Sequence, residues 1–225
     1  MWSQMETLSE WWQLERLLRA QPAAHFDFMR GFMKSPWKAK AIIGLISILL
    51  NTGCIPSLSP LYTDADLLED KRLEGRWKQT NGEDVLTFDR IGPKRYELSM
   101  VDEGVKVHFE ARLVRLGKYL FVDLMPSRPE PAGDFHQWHF VRTHTFYKAD
   151  LGPDFLELSG MHEEWLKGLS RQGKLNAAHR VVNHYSFNEA FLFICNTSEL
   201  RRFVLQHAEN TEAFRPKDAE EYRKE

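Results

Sequence analysis

The strongest constraint on the fold is a period-two alternation of apolar and polar residues that begins near Arg72. Its clearest stretch spans residues 105–113 (VKVHFEARL), where apolar residues alternate with charged or polar ones. Successive side chains of a β-strand point to opposite faces, so this pattern predicts a strand with one buried and one solvated face. Weaker alternation of the same kind surrounds Trp77, Phe88 and Leu98.

Short turn-like pairs and triplets separate these alternating segments: Asn81-Gly82, Gly92-Pro93, residues 102–104 and Gly117-Lys118. Short connections of this type favour antiparallel hairpins, so residues 72–125 predict a five-strand meander. Further strands are predicted at residues 137–147, 154–158, 179–185 and 190–195.

Two short helices are predicted near the C-terminus. One surrounds Trp165, and the other runs from Thr197 to Ala208, with Asn196 and Glu199 as a capping pair. A meander of this length exposes two edges unless it closes. We therefore predict a mainly β fold, in which an antiparallel meander closes into a barrel of about eight strands.

Residues 33–54 (MKSPWKAKAIIGLISILLNTGC) have the organisation of an export signal, with a basic start and a ten-residue apolar run at residues 41–50. Ten residues of α-helix extend about 15 Å, about half of a bilayer core. The run is therefore too short for an ordinary transmembrane helix and fits the apolar region of a signal peptide. An uncleaved signal anchor and a buried apolar segment are the alternatives.

The end of this segment, Leu50-Asn51-Thr52-Gly53-Cys54, resembles the lipobox of bacterial lipoproteins. In that family, signal peptidase II cuts before a cysteine that carries diacylglycerol. Thr52 and Gly53 fit the pattern, whereas Asn51 replaces the usual Leu, Val or Ile. The resemblance implies lipidation of Cys54, including palmitate, and a cell-envelope protein that is anchored to a membrane and faces away from the cytoplasm.

These features divide the chain into five segments. Residues 1–32 precede the signal, and we interpret them as an untranslated upstream extension with Met33 as the start; a genuine interfacial helix is the alternative. Residues 33–53 are the signal peptide, and residues 54–71 a tether of extended character. Residues 72–209 are the β domain with its C-terminal helix, and residues 210–225 are a charged tail expected to fray.

A second resemblance rests on Gly75-Arg76-Trp77, which is similar to the Gly-x-Trp of the first strand in the lipocalin-like group. It implies a lipocalin-like barrel over residues 72–195, with Trp77 plugging the barrel floor. Together with the lipobox, Leu61-Tyr62-Thr63 and His144-Thr145-Phe146, the pattern resembles a group of uncharacterised bacterial lipoproteins. This resemblance implies a location and a fold, but no activity.

Charge and motif content argue against several functions. Residues 1–53 hold 6 of the 30 basic and 4 of the 32 acidic residues, which leaves 24 basic and 28 acidic residues in the body. A mildly acidic body does not suggest nucleic-acid binding. It is also weakly repelled by anionic lipid, so an anchor other than charge is needed. The sequence contains no glycine-rich phosphate loop and no Gly-x-Ser-x-Gly motif.

The spacing of the histidines does not match a metal site. His136, His139 and His144 do not converge on a regular strand, and His162 is followed by Leu166 where a zinc-protease helix needs a second histidine. We therefore predict no metal, no cofactor and no catalytic residue. Cys195 is predicted to be a small buried core residue.

These considerations favour a non-catalytic function, the binding of a small apolar ligand. A structural or protein-interaction module of the envelope is the first alternative, and an envelope enzyme is the second. The state of the barrel interior distinguishes them, because a hollow apolar interior favours a ligand. The aromatic residues that form the core or line such an interior are Trp77, Phe88, Tyr96, Phe109, Phe121, Trp138 and Phe140.

Overall fold

The computed structural model describes residues 55–102, 104–127, 141–182 and 190–225. The described strands are β1 (Pro56–Ser57), β2 (Leu67–Leu68), β3 (Gly75–Gln79), β4 (Val85–Gly92), β5 (Arg95–Asp102), β6 (Val105–Leu116), β7 (Tyr119–Pro126), β8 (His144–Leu151), β9 (Phe155–Gly160), β10 (His179–Val182), β11 (Ala190–Phe193) and β12 (Glu220–Lys224). The helices are α1 (Glu163–Arg171) and α2 (Thr197–His207), and two 3-10 turns cover Asp64–Asp66 and Pro216–Asp218.

Eight of these strands form a closed antiparallel barrel in the order β3-β4-β5-β6-β7-β8-β9-β12. Strand β12 closes the ring because it pairs with β9 on one side and with β3 on the other. The prediction of a mainly β fold with a barrel of about eight strands and two late helices is confirmed. The five-strand meander predicted at residues 72–125 corresponds to β3–β7.

The expectation that the tail from Asn210 frays was wrong. Residues 220–224 form the closing strand, in which Tyr222 pairs with Leu156 on β9 and with Gln79 on β3. Without this strand, β3 and β9 would both present unpaired edges to solvent. Its sequence, EEYRK, has a single apolar inward residue, Tyr222, so it carries no recognisable alternation.

The inward faces of the barrel strands form one hydrophobic core. Its buried members are Leu73, Trp77, Leu86, Phe88, Tyr96, Leu98, Ala111, Leu113, Val122, Leu124, Ala149, Leu151, Leu156, Leu158 and Tyr222. Members on one strand are two residues apart, as the predicted period of two requires.

A second core lies outside the barrel, where a side layer covers the outward faces of β6, β7 and β8. The barrel contributes Val114, Phe121 and Phe146, and the side layer contributes residues from the N-terminal segment, β11, α1 and α2. Strand β1 extends the sheet at β8, pairs with β11, and through it connects to the edge strand β10. The chain therefore uses both faces of the same barrel wall for burial.

The interpretation of residues 54–71 as an extended tether was wrong from Ile55 onward. Ile55, Leu61 and Leu67 are buried, and β1 and β2 are hydrogen-bonded to the barrel. Tyr62 and Leu67 pack against the second core, and Leu68 packs against the barrel core. The two prolines favoured an extended spacer, but the apolar residues along this segment bury against the barrel and fix it to the domain.

Both helices are capped at their N-termini by side chains. In α2, Asn196 Oδ1 accepts a hydrogen bond from the Glu199 N–H at 2.9 Å, as predicted. The Glu199 carboxylate accepts from the Ala178 N–H at 3.0 Å, so it fastens the helix start to the segment before β10. No helix among the described residues has the length and apolar character needed to cross a bilayer.

Candidate functional site at the open end of the barrel

One end of the barrel is tightly packed. Trp77 and Leu73 are fully buried there, and the Trp77 Nε1–H donates to the Leu73 carbonyl at 2.9 Å. The Lys224 ammonium lies 5.1 Å from the centre of the Trp77 ring, within the range of a cation–π contact. The segment that leads into β3 thus fills this end of the interior. The specific role of Trp77 as a barrel floor stays a prediction.

Burial decreases steadily towards the other end, and β6 shows this best. Leu113 and Ala111 are fully buried, Phe109 and Val107 are partly exposed, and Val105 is 55% exposed. All five residues alternate onto the inward face of one continuous strand. The interior is therefore a packed core at one end and an accessible apolar surface at the other.

Neighbouring strands repeat this gradient at the same end of the barrel. The partly exposed inward residues there are Met100 on β5, Pro126 on β7, and Thr145 and Tyr147 on β8. We call this surface, together with Val105, Val107 and Phe109, the barrel mouth. It is mainly apolar, and its polar side-chain groups include the hydroxyls of Thr145 and Tyr147. At the same end, the inward faces of β3 and β12 add the Gln79 amide and the Glu220 carboxylate, which accepts from the Tyr222 hydroxyl.

The described ends of the connection between β7 and β8 lie at the rim of the barrel mouth. This connection leaves at Pro126 and returns at Val141, which is exposed, and the Ser127 N–H donates to the His108 carbonyl at 3.0 Å. Residues 128–140 lie outside the described part of the chain, and so do His136, His139, Trp138 and Phe140, for which the sequence predictions stay untested.

A second open cleft of about 600 Å³ lies along the outside of β3–β6 and reaches Met100 of the barrel mouth. Its walls carry both signs of charge, from Arg76, Lys106, Asp84 and Asp89. Arg76 also forms an ion pair with Glu225 across the closing strand. The mixed lining contrasts with the apolar barrel mouth and does not point to one class of ligand.

Sequence reasoning missed a buried Asp–His pair on the outer face of the barrel. Asp123 on β7 is 1% exposed, and its Oδ1 accepts from His144 Nδ1 at 2.6 Å. Its Oδ2 accepts from the Leu61 N–H at 3.0 Å. An ionised carboxylate can only accept, so His144 must carry its proton on Nδ1. The sequence feature that could have indicated this pair is the single acidic residue in the apolar strand sequence LFVDLM.

Further ionisable groups border this pair, and each has an interaction partner. Burial raises the pKa of Tyr62, and the nearby Asp123 adds to the rise while Arg112 opposes it. Burial alone would raise the pKa of Glu110, but hydrogen bonds and charge from Arg95 and Arg112 outweigh it and lower that pKa. The arrangement neutralises charge between β5, β6 and β7, which suits a structural role.

The remaining histidines within the described residues have structural contacts. His162 Nδ1 accepts from the Trp165 N–H at 3.2 Å and so caps α1. Burial lowers the pKa of His162, and Arg215, 2.8 Å from its Nε2, lowers it further. His179 is 2.7 Å from the Ser170 hydroxyl and stacks on Phe191. No cluster of three or more His, Cys, Asp or Glu side chains suited to a metal ion occurs in the described ranges.

Cys195 is a buried free thiol, as predicted from the apolar run around it. Burial raises its pKa to about 11, so it stays protonated near neutral pH. The other predicted site residue, Cys54, lies outside the described residues.

Comparison of the chain with protein-family models, with curated proteins and with solved structures gives no match. The resemblances to bacterial lipoproteins and to the lipocalin-like group therefore stay predictions that rest on the sequence motifs.

Proposed function

We propose that this protein is a membrane-anchored envelope lipoprotein whose barrel binds a small apolar ligand without catalysing a reaction. The observation that carries the ligand proposal is the gradient along β6, from fully buried Leu113 to half-exposed Val105. Small-molecule sites are concave and mostly apolar, with few polar groups. The barrel mouth has this composition, and the packed end gives the site a base.

The mouth restricts the chemistry of the ligand. The partly exposed stretch from Val105 to Phe109 is five residues long and extends about 13 Å along a strand. Its lining offers apolar contact from Met100, Val107 and Phe109, and hydroxyl groups from Thr145 and Tyr147. The one carboxylate facing inward at this end among the described residues, Glu220, already accepts from the hydroxyl of Tyr222. A slender hydrocarbon or acyl chain with at most one uncharged polar group fits this lining better than a charged metabolite does.

The anchoring part of the proposal rests on Cys54 and the lipobox-like residues before it. Two or more acyl chains give stable membrane attachment, whereas one chain gives only marginal binding. An anchor of this kind suits a body with a slight excess of acidic residues, since its charge would not hold it to anionic lipid.

The non-catalytic part is supported by the state of the buried titratable groups. Asp123 and His144 are satisfied by each other and by Leu61, and Cys195 is held as a neutral thiol. These groups lie on the outer face of the barrel or in the second core, whereas the proposed ligand would occupy the barrel mouth.

The ligand proposal is tested by saturable binding of a fluorescent acyl-chain probe to a soluble version comprising residues 55–225. Val105→Trp places a large ring inside the mouth, and we expect it to weaken probe binding about tenfold, a loss of about 1.4 kcal/mol. Val101→Trp is the matched control, because Val101 is 58% exposed but faces outward on the neighbouring strand. Equal effects of both substitutions, or no saturable binding by the parent, would contradict the proposal.

A further inference from the structure

We propose that strand β10, the outer edge of the side layer, rests directly on the lipid bilayer beside the anchor. This inference depends on the proposed lipidation of Cys54 and goes beyond it, because it assigns an orientation and a lipid-contacting surface. The partner is a bilayer that contains anionic phospholipid.

The first step concerns the length of free chain after the anchor. Ile55 is 5% exposed, Ser57 is fully buried, and the Leu58 N–H donates to the Phe193 carbonyl at 2.9 Å. The chain is therefore fixed to the domain from its first described residue. Consecutive Cα atoms are about 3.8 Å apart, so Cys54 lies next to this fixed point. A lipid on Cys54 would hold the body at the bilayer surface instead of at the end of a flexible spacer.

The second step identifies the surface beside the anchor. Ser57 on β1 is level with Phe193 on β11, so Ile55, two residues earlier, is level with Phe191. Phe191 pairs with Val181 on β10. Neighbouring strands are about 4.8 Å apart, which puts Val181 about 10 Å from Ile55.

The third step concerns the chemistry of that edge. Val181 and Val182 are 45% and 37% exposed on the outermost strand of the side layer, and Arg180 beside them is exposed as well. Exposed apolar edge strands are hazardous in water, because they template association with other chains. The two valines point to opposite faces of this strand, and Arg180 shares the face of Val182. Edge-on contact with the interfacial region of a bilayer would therefore cover both valines and bring Arg180 to anionic headgroups.

The test uses the full acylated protein in vesicles of phosphatidylethanolamine and phosphatidylglycerol. An environment-sensitive fluorophore is attached to Val181→Cys or to the control Ile91→Cys. Ile91 is 47% exposed and lies on β4, four strands from β8 in either direction around the ring. Cys195 is buried and protonated near neutral pH, so labelling is directed to the introduced thiol.

We expect spin-labelled lipid to cause loss of emission at position 181 but not at position 91. Equal quenching at both positions would overturn the proposed seating. A second variant inserts a flexible Gly-Ser linker of about ten residues between Cys54 and Ile55. We expect quenching at position 181 to fall to the level of the control in this variant, and unchanged quenching would also count against the inference.

Intact mass spectrometry separates the two proposals. If Cys54 carries lipid and the two labels are quenched equally, the seating is wrong while the lipoprotein proposal stands. If the mass shows an unmodified Cys54, both proposals fail.

Discussion

Asp123 is an acidic residue in an otherwise apolar strand, and its buried carboxylate has two partners from distant parts of the chain. His144 comes from the next strand of the barrel, and the Leu61 N–H comes from the segment that precedes the barrel. A buried charge is costly unless it is paired and hydrogen-bonded. The carboxylate thus fixes the path of the N-terminal segment across the outer barrel wall.

Asp123→Ala should lower the free energy of unfolding by about 3 kcal/mol, because it leaves two buried polar groups without a partner. Asp123→Asn is the matched control, since its amide oxygen can still accept from Leu61 and its NH₂ can donate to His144 in the other tautomer. We expect it to cost about 1 kcal/mol. Urea denaturation measures the free energy of unfolding of both variants. Equal decreases for the two would show that the hydrogen bonds do not account for the effect.

Asp66 gives a prediction about pH. Burial raises its pKa, but hydrogen bonds from Thr63 and the charge of Arg201 outweigh this and lower it. A depressed folded-state pKa adds stability above the unfolded value of about 4, and this is lost as pH falls through the folded pKa. Asp66→Asn should therefore destabilise the protein by about 1–2 kcal/mol at neutral pH. This deficit should shrink in acid, and a deficit independent of pH would contradict the assignment.

At the scale of elements, β12 closes the barrel by pairing with both β9 and β3. Its inward residue Tyr222 is 2% exposed and packs in the barrel core. Burial raises the pKa of Tyr222, so its hydroxyl stays protonated, and it donates to the Glu220 carboxylate at 2.5 Å.

Tyr222→Ala should lower the free energy of unfolding by about 3–4 kcal/mol, the usual loss for removing a buried aromatic ring. Arg223→Ala lies on the outward face of the same strand and should change it by less than about 0.5 kcal/mol. Chemical denaturation of the two variants compares them directly. Similar values would indicate that the C-terminal strand does not hold the ring closed.

The elements that the sequence predicted well are those with local periodicity. Residues 105–113 alternate cleanly because one face of β6 lies against the barrel interior and the other is partly solvated. Strand β12 was missed because pairing on both sides, a tertiary property, defines it, and its sequence has one apolar inward residue. Strands β1 and β2 were missed for the same reason, since each has two residues and is defined by its pairing, β1 with β8 and β11 and β2 with β6.

The candidate site was predictable only in kind. The aromatic residues were expected either to fill the barrel or to line it, and the structure shows both, with Trp77 buried and Phe109 partly exposed. Which end of the barrel is accessible depends on the stagger of the strands and on where Leu73 packs in the interior. Neither property is encoded in a local sequence pattern. The Asp123–His144 pair joins residues on two strands and needs the barrel register to bring them together.

At the scale of the whole molecule, the proposed lipid anchor would set what the barrel can reach. Cys54→Ala should release the protein from membranes and abolish incorporation of radiolabelled palmitate, because it removes the proposed thioether site. Cell fractionation and labelling measure the two effects. Unchanged labelling would exclude Cys54 as the lipid attachment point.

The proposed start of translation at Met33 gives a related prediction for the whole chain. A gene version that begins at Met33 should give a mature protein of the same size as the full gene, since both would be cut before Cys54. Gel and mass analysis compare the two products. A difference that matches the mass of residues 1–32 would show that the upstream segment is retained.

Native mass spectrometry of the protein extracted from its own cells would detect the covalent lipid and the bound ligand in one measurement. The account predicts a chain of residues 54–225 with lipid covalently attached to Cys54 and a small apolar molecule retained non-covalently. It predicts that Val105→Trp, which narrows the barrel mouth, reduces the retained fraction while the covalent lipid stays. A chain that keeps the residues before Cys54, without covalent lipid and without a bound molecule, would contradict the account.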